Sequence, residues 1–193
     1  IAFAFLILVL CSACDDRISY DSADAPMDEQ GAYGVNPNSY QSYEIDGQAR
    51  GAANLYVGTV DPGTMMPQRA FFRYVGNNTF QPVEIVGSGS LHYWVYQDTL
   101  YYFGDYSSLI YAISGVKNDE LQQRVTIRPK FGDARYEFQR ILAIQNDWIY
   151  IEAEKWGTNE VCNEVFLPGY YLAIHVNGVE WKEVTESEIP EAE

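Results

Sequence analysis

The chain reads as an all-β protein built from repeated four-stranded antiparallel units, and three features of the sequence predict this. Short aromatic and β-branched runs recur from residue 40 to residue 186, separated by turn residues. No helix-length 3.6 periodicity interrupts them. The runs also repeat at a spacing of about 45 to 50 residues. A β-sandwich or meander is the alternative arrangement of the same strands.

Twelve strands are expected, taken in chain order. The first four are YQSYEI (40–45), NLYVGTV (54–60), RAFFRYV (69–75) and FQPVEIV (80–86). LHYWVY (91–96), TLYYFG (99–104), LIYAIS (109–114) and RVTIR (124–128) follow. The last four are RILAI (140–144), WIYIEAE (148–154), YYLAIHV (170–176) and VEWKEV (179–184). Asp-Pro-Gly at 61–63, Gly-Asn-Asn at 76–78, Gln-Asp at 97–98 and Asn-Gly at 177–178 punctuate them. Asn-Gly between two apolar runs is the strongest short hairpin signal, because both central residues of a type I′ turn need φ > 0.

Shifting YWVYQDTLYYF (93–103) by 48 places it on ILAIQNDWIYI (141–151), with Gln97 on Gln145 and Tyr102 on Tyr150. The strands then group as units at 40–87, 91–139 and 140–186. Four short antiparallel strands per unit at this spacing is the pattern of a β-propeller blade. The hairpins Gln97–Tyr102 and Asn146–Tyr150, followed by a Leu-Ile-Tyr strand, resemble the repeat of bacterial extracellular propellers of the low-density-lipoprotein-receptor type. Propellers close with four to eight blades, so three units predict an incomplete ring with two open faces, both expected to be apolar. Closure by oligomerisation is one way to cover them.

The first ten residues are entirely apolar and Ile1 to Cys14 carry no charge, before Asp15-Asp16-Arg17. That run is too short for the roughly 20 residues of a membrane-spanning helix and fits the apolar region of a secretory signal. Leu10-Cys11-Ser12-Ala13-Cys14 resembles the lipobox of bacterial lipoproteins, with Cys11 where that family usually has Leu. The resemblance implies a signal peptide at 1–13, cleavage before Cys14, acylation of the Cys14 sulfur, and an extracytoplasmic, lipid-anchored place in a bacterial cell envelope. It leaves inner and outer membrane equally open. With no start Met and no basic flank ahead of Ile1, the natural chain is expected to begin upstream.

Residues 14–39 are rich in Asp, Ser, Gly, Pro and Asn, and read as an acidic flexible tether. An acidic tail at 187–193 closes the chain after the β-repeat domain at 40–186. Net charge is −15, of which residues 15–39 supply −5 and the segment from Glu183 another −5. Nucleic acid is excluded as an expected partner, since phosphate backbones need a basic face. The same charge opposes anionic headgroups, so the membrane partnership rests on acyl chains. Loss of Cys11 and acylation of Cys14 would leave Cys162 alone, a structural thiol with no zinc-ligand spacing around it.

Catalytic patterns are sparse. Ser90, His92 and Asp98 supply the residue types of a hydrolytic triad without a G-x-S-x-G elbow, and His175 stands alone in its strand. Glu152 and Glu154 alternate on one strand face, as a solvated edge would. No phosphate-binding or EF-hand spacing is present, and no cofactor or metal is expected. Aromatics crowd the middle of the chain at Tyr93, Trp94, Tyr96, Tyr101, Tyr102, Tyr106 and Tyr111. Most are expected to pack between strands. Trp156, in KWGTNE near an expected loop and read as the better exposed one, with Trp94 and Tyr106, are the candidate ligand-binding residues. The expected function is non-catalytic binding or assembly with a protein or glycan partner; an envelope hydrolase or glycan-processing protein is the alternative.

Overall fold

The computed structural model describes residues 42–63, 66–118, 120–158 and 164–191. The signal segment, Cys14, the tether and Cys162 lie outside the described residues. Among the described residues, twelve strands form three four-stranded antiparallel sheets. The first holds β1 (Ser42–Gln48), β2 (Leu55–Asp61), β3 (Gln68–Gly76) and β4 (Thr79–Gly87), in that spatial order. The middle sheet holds β5 (Leu91–Tyr96), β6 (Thr99–Gly104), β7 (Ile110–Ser114) and β8 (Val125–Ile127). The third holds β9 (Tyr136–Gln145), β10 (Trp148–Thr158), β11 (Glu164–His175) and β12 (Trp181–Val184). Each sheet is therefore one unit of the expected repeat. The third unit begins at Tyr136 rather than residue 140, because β9 runs four residues further back and carries bulges against β10.

Turn chemistry corrects the repeat offset. Tyr96 pairs with Thr99 and leaves Gln97-Asp98 as the turn, whereas Gln145 pairs with Trp148 and leaves Asn146-Asp147. The structural offset is thus one residue more than the sequence alignment. At that offset Leu100 falls on Ile149 and Tyr102 on Ile151, all four fully buried. A one-residue slip would have exchanged the faces. Asn146 (φ 50) and Asp147 (φ 64), like Asn77 (φ 52) and Asn78 (φ 55), take the paired left-handed geometry of a type I′ turn. The Asn-Gly at 177–178 does not. Its loop runs from His175 to Trp181, with Asn177 Oδ1 accepting from the Val179 and Glu180 N–H groups at 2.9 and 3.4 Å. A side chain that caps a wider loop has displaced the two-residue hairpin.

The middle sheet is covered on both sides. Tyr101, Phe103, Ile110 and Ile127 pack against Phe138, Ile149, Ile151, Leu172 and Ile174 of the third sheet. On the opposite side Leu100, Tyr102, Tyr111 and Ile113 meet Leu55, Val57, Phe71 and Val86 of the first. The period-two alternation of β6 thus feeds two cores at once. The Phe138 N–H also donates to the Ser107 carbonyl at 2.8 Å, tying the β6–β7 loop to β9. The three sheets stack without closing into a ring.

The two terminal faces differ, contrary to the expectation that both are apolar. The far side of the first sheet buries Val60, Ala70, Phe72 and Ile85 beneath Tyr43, Ile45, Tyr56 and Phe80. On this side Gly58 of β2 lies so close to β1 that a Cβ would collide with the Glu44 carbonyl and press on the Phe72 ring. The irregular register between Ile45 and Gly47 makes that close approach. Gly58→Ala is accordingly expected to destabilise by about 1–3 kcal/mol through overpacking, measured as a lowered urea midpoint. The far side of the third sheet is aromatic and polar.

Candidate functional site

Of the three aromatic candidates, Trp94 is half-buried on β5 and packs against the core between the middle and third sheets. Trp156 lies within β10 and is half-buried rather than well exposed, and its side chain hydrogen-bonds Glu137. Tyr106 is 86% exposed in the β6–β7 turn at φ 59, a left-handed conformation uncommon for a bulky residue. The three do not converge. Neither does the triad: Ser90 and His92 sit at the start of β5, and Asp98 lies in the turn at its far end, accepting from the Lys117 N–H at 2.7 Å. Glu152 forms an ion pair with Arg140 across β9 and β10.

What the strands do assemble is the outward face of the third sheet. Residues 149, 151 and 153 of β10 enter the core, so alternation turns Trp148, Tyr150 and Glu152 outward. Register places Tyr171, Ala173 and His175 beside them on β11, Lys182 on β12, and Arg140 and Ala143 on β9. Tyr150 stands between Ala143 and Ala173, both buried, and Trp148, Tyr150 and Tyr171 are themselves half-buried. The Trp148 and His175 rings meet edge to face at 5.2 Å, and the Lys182 ammonium sits 5.6 Å over the Trp148 ring. Small residues thus keep the sheet low between aromatic rings, while Arg140, Glu152, His175 and Lys182 supply donors and acceptors around them. Such a surface offers flat apolar contact with hydrogen bonding at its edges.

The inward side of the same sheet is fastened differently. The Tyr136 hydroxyl and Lys155 both donate to Glu183 Oε1, the latter at 2.7 Å, and Lys155 lies 5.1 Å from the Tyr170 ring centroid. These bonds hold the Glu183 carboxyl below and the Lys155 ammonium above their ordinary values. They join β9, β10 and β12.

A second acidic corner lies at the start of β9. Glu137 and Glu154 are directly opposed in the β9–β10 ladder, and like charges so placed repel. Glu137 is buried, and its carboxyl is pushed above the ordinary range by desolvation and then by Glu154, with Asp105 adding to it and the Trp156 hydrogen bond opposing. On β5, burial holds the His92 imidazole below its ordinary value while Asp105 works against that shift. An acid whose pKa is raised by folding binds its proton more tightly in the native state, so stability falls as pH rises above the unfolded value. Glu137→Gln keeps an acceptor for Trp156 and removes the charge. It is expected to raise stability at neutral pH, leave it nearly unchanged below the unfolded carboxylate pKa, and flatten the slope between, all read from urea unfolding across pH.

Among the described residues no group of three or more His, Cys, Asp or Glu side chains is placed to hold a metal, and no helix is long and apolar enough to cross a membrane. No family model matches the chain, and neither curated proteins nor solved structures compared with it give a match.

Proposed function

We propose that this chain is a lipid-anchored, extracytoplasmic binding protein that presents the outward face of its third sheet to a glycan. The observation that carries the binding reading is the row Trp148–Tyr150–Tyr171 on a low alanine floor, edged by Arg140, Glu152, His175 and Lys182. Sugar rings present an apolar C–H face and a hydroxyl rim, which suits aromatic rings bordered by charged hydrogen-bonding groups. The anchoring reading rests on the lipobox-like residues ending at Cys14. Titration with soluble chito- and cello-oligosaccharides, followed by tryptophan fluorescence, should give a saturable change that Tyr171→Ala weakens. Absence of a change with every oligosaccharide would defeat the glycan assignment. Mass spectrometry of the membrane-extracted chain should find a diacylglyceryl Cys14; an unmodified terminus would defeat the anchor.

One observation favours a hydrolytic reading instead. Opposed residues on neighbouring antiparallel strands have Cβ atoms about 4.5–5.5 Å apart, and Glu137 and Glu154 are such a pair with one carboxyl raised. Two carboxyls split in this way are the working parts of an acid–base pair. Shortened oligosaccharides formed by the parent chain and absent with Glu154→Gln would favour hydrolysis over binding.

A further inference from the structure

A concave surface, separate from the flat face of the third sheet, lies at the seam of the first and middle sheets. It is an open cavity of about 410 Å³. Gln48, Ala49, Gly51 and Ala52 are among its lining residues, and Arg50 and Lys117 are the charged ones. The loop that builds it is held by its own hydrogen bonds. The Ala49 N–H donates to the Leu55 carbonyl at 2.8 Å, and Gln48 Nε2 donates to the Ala52 and Ala53 carbonyls at 3.2 and 2.6 Å. Gly51 takes φ 84, with its Cβ position only 3.1 Å from Val95 Cβ, so this turn admits only glycine without strain.

Both cations are fixed at the backbone. The Arg50 N–H donates to the Tyr93 hydroxyl at 3.3 Å, and the Lys117 N–H donates to Asp98 Oδ1 at 2.7 Å. Their side chains have no ion-pair partner among the described residues, and no carboxylate of those residues lines the cavity. Elsewhere Arg69, Arg124, Arg140 and Lys155 each reach a carboxylate. In a chain with 27 acids and 12 bases, two cations that line one cavity without a side-chain ion pair among the described residues run against the composition, although the Asp98 carboxylate is engaged at the Lys117 backbone.

We propose that this cavity binds an oxyanion, a phosphoryl or carboxylate group carried by a ligand, between the Arg50 guanidinium and the Lys117 ammonium. The small lining residues Ala49, Gly51 and Ala52 leave room for the anion's oxygens to approach both cations, and a planar guanidinium suits either group. Backbone amide NMR on the full chain, titrated with inorganic phosphate and separately with acetate at matched ionic strength in chloride, tests it. Saturable shifts at Gly51, Ala52 and Lys117 are expected with at least one of the two. A response to phosphate alone assigns a phosphoryl group; a response to both assigns carboxylates as well. Arg50→Gln and Lys117→Gln should each weaken the affinity by about tenfold or more while leaving resonances of the third sheet in place. Shifts that track chloride equally, or that persist unchanged in the double variant, would overturn the site. A failed oligosaccharide titration would not touch it, because the two surfaces share no residue.

Discussion

Phe71→Ala is expected to lower the unfolding free energy by about 3–5 kcal/mol, read as a large drop in urea midpoint. Phe71 on β3 is fully buried where the first sheet meets the middle one. Its ring meets Tyr93 edge to face at 5.7 Å and Tyr102 at 5.2 Å. Truncation loses the transfer free energy of the ring, opens a cavity between two sheets, and removes two aromatic contacts each worth about 0.5–1.5 kcal/mol beyond area. The cavity cannot collapse easily, because Tyr102 is itself fully buried and shared with Tyr111 at 5.4 Å. Phe71→Leu keeps most of the apolar volume and should cost clearly less. A loss under about 1 kcal/mol for the alanine variant would mean that the first sheet does not depend on the middle one for its stability.

The strands were legible because their signal is local. Alternation and turn residues mark each β-run without reference to its neighbours, and LHYWVY and TLYYFG match β5 and β6 residue for residue. Register was not, since it depends on which two residues take φ > 0. Gln145-Asn146 and Asn146-Asp147 are both credible turns on paper, and only the pairing of Gln145 with Trp148 decides between them. The opposed Glu137 and Glu154 were hidden for a related reason. Their facing requires register shifts at Tyr150/Ile151 and at Glu152/Ala153, and bulges leave no residue-type signature when no glycine or proline marks them. Trp94 and Trp148 sit in similar aromatic runs, yet one packs toward the core and the other turns outward. The difference is the place of their sheets in the stack, which no local pattern encodes. Arg50 and Lys117, 67 positions apart, are neighbours for the same reason.

Arg124→Met is expected to cost about 3 kcal/mol at neutral pH, the range for breaking a buried ion pair from one side. Arg124 reaches from just before β8 to Glu84 of β4, with Nη1 2.5 Å from Oε1, and so joins the first and middle sheets through charge. Its guanidinium also lies 4.9 Å over the Tyr111 ring, a contact whose apolar part a methionine stem preserves. The Tyr102 hydroxyl is buried beside the pair without a hydrogen bond of standard geometry to either partner. Burial already lifts the Glu84 carboxyl above its ordinary value of 4.5, outweighing the opposing pull of Arg124. Removing Arg124 lifts it further. Because the native state then holds the proton more tightly than the unfolded chain, stability should fall as pH rises from about 4.5, more steeply in the variant than in the parent. Below that pH the two curves should draw together, as Glu84 is protonated in both states. Adding Glu84→Gln should recover most of the loss and flatten the curve, because the penalty belongs to the abandoned charge rather than to the missing arginine. A cost that is independent of pH, or that the second substitution leaves untouched, would instead place the energy in the packing of the Arg124 stem on Tyr111.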